Sequence, residues 1–145
     1  MAKQRTDKFL LSFESTKDRK GKPDTFARIT DSLLLSEAWQ DLKPYHHDLY
    51  MAMRQQNMGK RKPNRDYSEG SEEWEKVKSD LCFYFPRGTA ERYCKRYVGN
   101  HSRLYKDIDD LIEHGFIDSI VSGKSDRSKN VYSYSDRWHH WKKPP

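Results

Sequence analysis

The chain has 145 residues, a net charge of +6 and a mean hydropathy of −1.15, with 34% of residues apolar and 34% charged. That composition is thin for a core spanning the whole length, so it implies one ordered domain with polar flanks. No apolar run approaches the roughly 20 residues of a membrane-spanning helix, so no membrane partner is expected.

The opening residues Met1 to Lys8 lead only into Phe9-Leu10-Leu11, too short for the apolar stretch of a signal peptide. A cytoplasmic protein is expected. Cys82 and Cys94 fit reduced thiols in a core, and one disulfide between them stays open. Residues 1–24 are polar and read as a flexible basic arm, with Phe9-Leu10-Leu11 and Phe13 able to dock on a neighbour. Residues 25–141 form the expected domain, and 142–145 a tail. Phe26-Ala27-Arg28-Ile29 alternates like a short strand, and Thr30-Asp31 offers a turn or helix cap. Ser36 to Leu42 reads as one or two helical turns with Ala38, Trp39 and Leu42 inward.

Pro44 suits the first turn of a helix, and Tyr45, Leu49, Ala52 and Met53 then recur at helical spacing over residues 44–57. Residues 58–72 are a long loop, first basic (Lys60-Arg61-Lys62) and then acidic. Glu72 to Lys78 suggests a short helix around Trp74 and Val77, and Leu81 to Phe85 a strand stopped by Pro86. Thr89 can cap a helix over 90–98, with Ala90, Tyr93, Cys94 and Tyr97 inward and Arg92, Lys95 and Arg96 outward. A Gly99-containing turn precedes a helix over 103–114, whose Leu104, Ile108, Leu111 and Ile112 share one face. Gly115 ends it. Strands at 116–121 and 131–135 flank a polar loop, and Trp138 and Trp141 are placed to close over the core.

Charge is segregated rather than mixed. Residues 87–106 net +5 (Arg87, Arg92, Lys95, Arg96, Arg103 and Lys106 against Glu91), and residues 107–123 net −5 (Asp107, Asp109, Asp110, Glu113, Asp118). Residues 124–145 return to +4. A basic balance distributed in this way suggests a polyanionic partner.

Helix, strand, helix, Gly-containing turn, helix and a basic hairpin is the order of a winged helix-turn-helix: α+β, three main helices, a small antiparallel sheet and a wing hairpin. In that layout the second helix of the pair lies in the major groove of double-stranded DNA. His101, Ser102, Arg103 and Lys106 then stand on its leading turns, where they meet base edges. Arg92, Lys95 and Arg96 face phosphates, and Lys124, Arg127 and Lys129 place the wing tip. Asp109 and Asp110 are tolerable only if the helix enters by its N-terminal tip. Alternatively, Asp107, Asp109 and Asp110 contact a partner protein or a second copy without direct DNA reading.

Catalysis finds little support in the residues. His46-His47 and His139-His140 are adjacent pairs whose rings diverge in a helix or a strand. Cys82 and Cys94 lack metal-ligand spacing, and there is no phosphate-cradling glycine loop. No enzyme, metal, cofactor or small-molecule substrate is expected.

Two segments carry a resemblance. Phe26 to Trp39 (Phe-Ala-Arg-Ile-Thr-Asp-Ser-Leu-Leu-Leu-Ser-Glu-Ala-Trp), continuing to Leu42 and Leu49-Tyr50, is similar to the opening of replication-initiator-like winged-helix proteins of Gram-positive plasmids and conjugative elements. Lys106-Asp107-Ile108-Asp109-Asp110-Leu111-Ile112-Glu113-His114-Gly115-Phe116-Ile117 resembles their helix-to-wing junction. The resemblance covers residues 26–138 and implies DNA binding in replication, transfer or transcription control. Many of those proteins carry a Gly-Ile/Val-Ser-x-x-Thr turn where this chain has Val98-Gly99-Asn100-His101-Ser102-Arg103.

Overall fold

The computed structural model describes residues 27–56, 61–123 and 130–145. The basic arm, Phe26, Lys60, and the loop residues Lys124, Arg127 and Lys129 lie outside them. The described residues form an α+β fold with six α-helices and one three-stranded antiparallel sheet.

Two short helices, α1 (Asp31–Leu34) and α2 (Glu37–Asp41), open it, each capped by a hydroxyl. Thr30 accepts from the Leu33 amide and Ser36 from the Trp39 amide, satisfying donors that a first turn otherwise leaves unpaired. Pro44 begins α3 (Pro44–Gln56), and the amide of Lys43 donates to His46 Nδ1 at 3.0 Å, folding that ring over the helix start. Of the strand expected at Phe26–Ile29, the described residues 27–29 form none. Among the described residues every ladder in the sheet joins β1 to β3 or β3 to β2, and Ile29 packs partly buried against the core.

Residues 61–71, read as an open loop, are built. Pro63 is buried in a 3₁₀ turn (Pro63–Arg65), Arg61 pairs with Asp66, and Asn64 donates to the Lys78 carbonyl. The turn packs against β1 (Cys82–Tyr84), which follows the short helix α4 (Glu72–Val77). Next come α5 (Arg87–Tyr93), α6 (His101–Glu113), β2 (Ile117–Val121) and β3 (Val131–Tyr134). Strand order is β1-β3-β2, with Phe83 opposite Tyr132 and Ile117 opposite Tyr134.

Period-two alternation gives the sheet two covered faces. Phe83, Tyr132 and Ile117 join the helices in the main core with Trp39, Leu49, Tyr97, Leu104, Leu111 and Phe116. Cys82 and Val131 turn the other way, onto Val77, Tyr67 and Tyr84. The tail closes as its sequence suggested: Trp138 stacks on Phe116 and Trp141 on His114. No helix among the described residues is long and apolar enough to cross a membrane.

Candidate nucleic-acid interface

The α5–turn–α6 unit departs from the periodic reading in one instructive way. The helix expected at 90–98 begins three residues earlier, with Pro86 rather than Thr89 at its N-cap, and breaks at Cys94. A 3₁₀ turn (Lys95–Tyr97) follows, so Tyr93 and Tyr97 no longer share a face. Tyr97 is fully buried and donates its hydroxyl to Asp107 at 2.8 Å, whereas Tyr93, expected inward, is 41% exposed. Gly99, at φ +71°, then reverses the chain into the α6 cap. Asn100 Oδ1 accepts from the Arg103 amide at 3.2 Å and from the Ser102 hydroxyl at 3.1 Å.

Ser102, Arg103 and Lys106 are exposed on the first turns of α6, as expected. His101 is not free to read anything. Arg87 donates to its Nδ1 at 2.7 Å, which places the ring proton on Nε2, where it donates to Glu91 at 3.2 Å. The ring therefore staples α5 to α6. The sequence did not announce either partner of His101, because the helix expected at 90–98 left Arg87 outside it. Of the flanking cations, Arg92 and Lys95 are exposed. Arg96, expected outward, is half-buried: its Nε donates to Asp107 at 2.9 Å, and its guanidinium lies 3.7 Å from the Tyr45 ring centre. That bond raises the Arg96 pKa further, and burial, then Asp107, raises that of the Tyr97 hydroxyl.

The acidic block is equally rearranged. Asp107 is 2% exposed and engaged by Arg96 and Tyr97, so it cannot contact a partner protein. Asp110 is half-buried and accepts from His46 Nε2 at 2.9 Å. Only Asp109 and Glu113 of that helix remain outward, and Glu113 lies 2.8 Å from His114. At 100° per residue, Ser102, Lys106, Asp109 and Glu113 form one exposed stripe, neutral or basic at its start and acidic at its end.

His46, Asp107 and Asp110 bring three metal-type ligand atoms within 4.8 Å of one another. The ring chemistry disfavours an ion there. Because Nδ1 accepts from the Lys43 amide, a metal on Nε2 would leave an anionic imidazole, while Asp107 is already engaged twice. The cluster is a hydrogen-bonded bridge between α3 and α6. Burial raises the pKa of both Cys82 and Cys94, against a thiolate at neutral pH.

The hairpin base is closed by the Gly123 amide donating to Asn130 Oδ1 at 2.7 Å. A register shift between Ser119 and Val121 bends β2 as it approaches that base. Comparison with known protein families, with curated proteins and with solved structures finds no match.

Proposed function

We propose that the chain is a non-catalytic winged-helix protein that binds double-stranded DNA in the cytoplasm. We place it in replication, transfer or transcription control of a mobile element, in line with the resemblance noted above. The strand order supports this: β1 precedes the helix pair, and β3 returns from the hairpin to lie between β1 and β2.

One observation carries the reading. The α6 stripe leads with Ser102 and Lys106, with Arg103 beside it, while Asp107 is withdrawn into the fold and the part-exposed Asp110 is engaged by His46. A helix entering a major groove by its tip would then meet phosphates with cations and keep Asp109 and Glu113 at the trailing end. The helix dipole adds an anion-favouring field at that end, although Asn100 already takes the Arg103 amide. Arg92 and Lys95 would contact backbone phosphates, and Lys124, Arg127 and Lys129 would extend the contact through the wing. The competing reading, a protein-binding acidic helix end, loses Asp107, and Asp110 is tied to His46.

Titration of the full chain against duplex DNA tests this. The apparent affinity should fall at least tenfold between about 50 and 200 mM salt, as several displaced counterions require. Arg103→Ala should narrow the ratio of cognate to random duplex affinity more than Lys62→Ala does. A salt-independent affinity, or equal narrowing by both variants, would reject the assignment.

A further inference from the structure

A groove of about 500 Å³ runs between α3 and the end of α5, bounded by Ile29, Tyr45, Met51, Ala52, Tyr93 and Lys95. It is separate from the α6 stripe, and the duplex-binding reading draws on the cations at its rim but not on its apolar floor. Its floor is apolar, with Met51 39% exposed and Tyr93 41% exposed. Its rim is charged. The Arg92 guanidinium sits 5.5 Å from the Tyr93 ring centre, Lys95 flanks the opening, and Asp48 lies on the α3 side. Arg96 lies close over the Tyr45 ring at 3.7 Å, whereas Arg92 stands farther from the Tyr93 ring and leaves its other face to the groove.

We propose that this groove binds an unpaired nucleobase of single-stranded DNA, stacked on Tyr93. The argument is one of chemical match. An apolar peptide would leave Arg92, Lys95 and Asp48 without partners, whereas a nucleotide presents a flat apolar ring and an anionic backbone together. Arg92 and Lys95 neutralise the flanking phosphates. Asp48 would repel a phosphate but accept hydrogen bonds from an exocyclic amine, so it faces the base edge. Cytosine, adenine and guanine carry that amine and thymine does not. The volume suits one nucleoside with part of its neighbour. The proposal rests on the premise above that the partner is nucleic acid and shares Arg92 and Lys95 with the duplex reading, while Tyr93 and Asp48 belong to the groove alone.

The test is fluorescence anisotropy with the full chain and labelled oligo-dC, oligo-dT and duplex of equal length. Oligo-dC should bind more tightly than oligo-dT. Tyr93→Ala should weaken oligo-dC binding about tenfold, the scale of one lost base stack. Tyr93→Phe should restore it, and both variants should bind duplex within about twofold of the parent. Unchanged oligo-dC affinity in Tyr93→Ala would overturn the proposal and leave the groove to another occupant, such as the Phe9–Phe13 stretch. A parallel loss on duplex would also overturn it, assigning Tyr93 to the duplex surface. Failure of the parent chain to bind duplex would instead refute the duplex-binding reading and leave the Tyr93 dependence on oligo-dC to decide the groove.

Discussion

A methyl group added at Gly115 would sit 2.7 Å from the Trp138 backbone nitrogen and 2.8 Å from the Arg137 carbonyl carbon. The residue also holds φ +86°, where a side chain is strained even in open space. Both demands arise from the way α6 ends. The Phe116 amide donates to the Leu111 carbonyl and the Gly115 amide to the Ile112 carbonyl, a closure that needs a left-handed residue between them. Gly99 is the internal control: at φ +71° it has nothing within 4 Å of the added carbon. Gly99→Ala should therefore cost only the conformational strain, about 1 kcal/mol, and Gly115→Ala about 3 kcal/mol because backbone must move as well. Thermal unfolding should show Gly115→Ala lower than Gly99→Ala by several degrees, roughly 3 °C per kcal/mol for a chain of this size. Equal losses would mean that the tail simply shifts aside.

Among the elements, the bond network around Asp107 decides how α6 is held. Its carboxylate joins the 3₁₀ turn after α5 (Arg96, Tyr97) to α6, and next to it His46 joins α3 to Asp110. Asp107→Ala would strand the buried Tyr97 hydroxyl without its acceptor and leave Arg96 facing apolar surroundings, at a cost of about 3 kcal/mol. Asp107→Asn keeps an acceptor and should lose about half as much. Denaturant unfolding of the two variants measures the difference, and an Ala variant no less stable than the Asn variant would exclude the bridging role. None of this was legible in the sequence, where Asp107 looked like one more surface acid. Helical period recovered α3 and α6 because their apolar residues repeat cleanly, and apolar and aromatic runs bounded by turn residues recovered the three strands, whereas the alternation at Phe26–Ile29 misled. It failed at α5 because a periodic reading assumes an unbroken helix, and the break at Cys94 exchanges the environments of Tyr93 and Tyr97. It failed at 61–71 because the stabilising contacts are long-range: Arg61 and Tyr84 both donate to Asp66, which no local pattern announces. The same rearrangement altered the candidate site. The exposure of Arg103 and Lys106 followed from their spacing, while the withdrawal of Arg96 and the stapling of His101 depend on partners in other elements.

Across the whole molecule, the C-terminal tail ties the last helix back to the first ones. Arg137 donates to the carbonyls of Ile112 and Ile117 and pairs with Asp118, spanning the end of α6 and the start of β2. The Lys143 amide donates to Glu37 at 2.8 Å, and its ammonium lies 3.4 Å from Asp41 on α2. Asp41 is the meeting point, since it also accepts from His114 Nε2 at 2.7 Å. The His114 hydrogen bond, then Lys143, holds the Asp41 carboxyl below its ordinary value, and Arg61 followed by Tyr84 does the same for Asp66. A carboxylate whose folded pKa is depressed stabilises the fold fully above its unfolded value, near 4, and loses that contribution as pH falls through the folded value. The stability of the parent chain should therefore decline as pH drops below about 4. Asp41→Asn, which cannot ionise, should be less stable than the parent at pH 7 by about 3 °C in melting temperature, a modest amount because the pair is partly solvated. As pH falls through the folded pKa of Asp41, the two curves should converge, because the parent's carboxyl then becomes neutral as well. Melting temperatures of both chains across pH 2 to 7 measure this directly. A gap that stayed constant over the range would show that Asp41 acts through shape rather than charge.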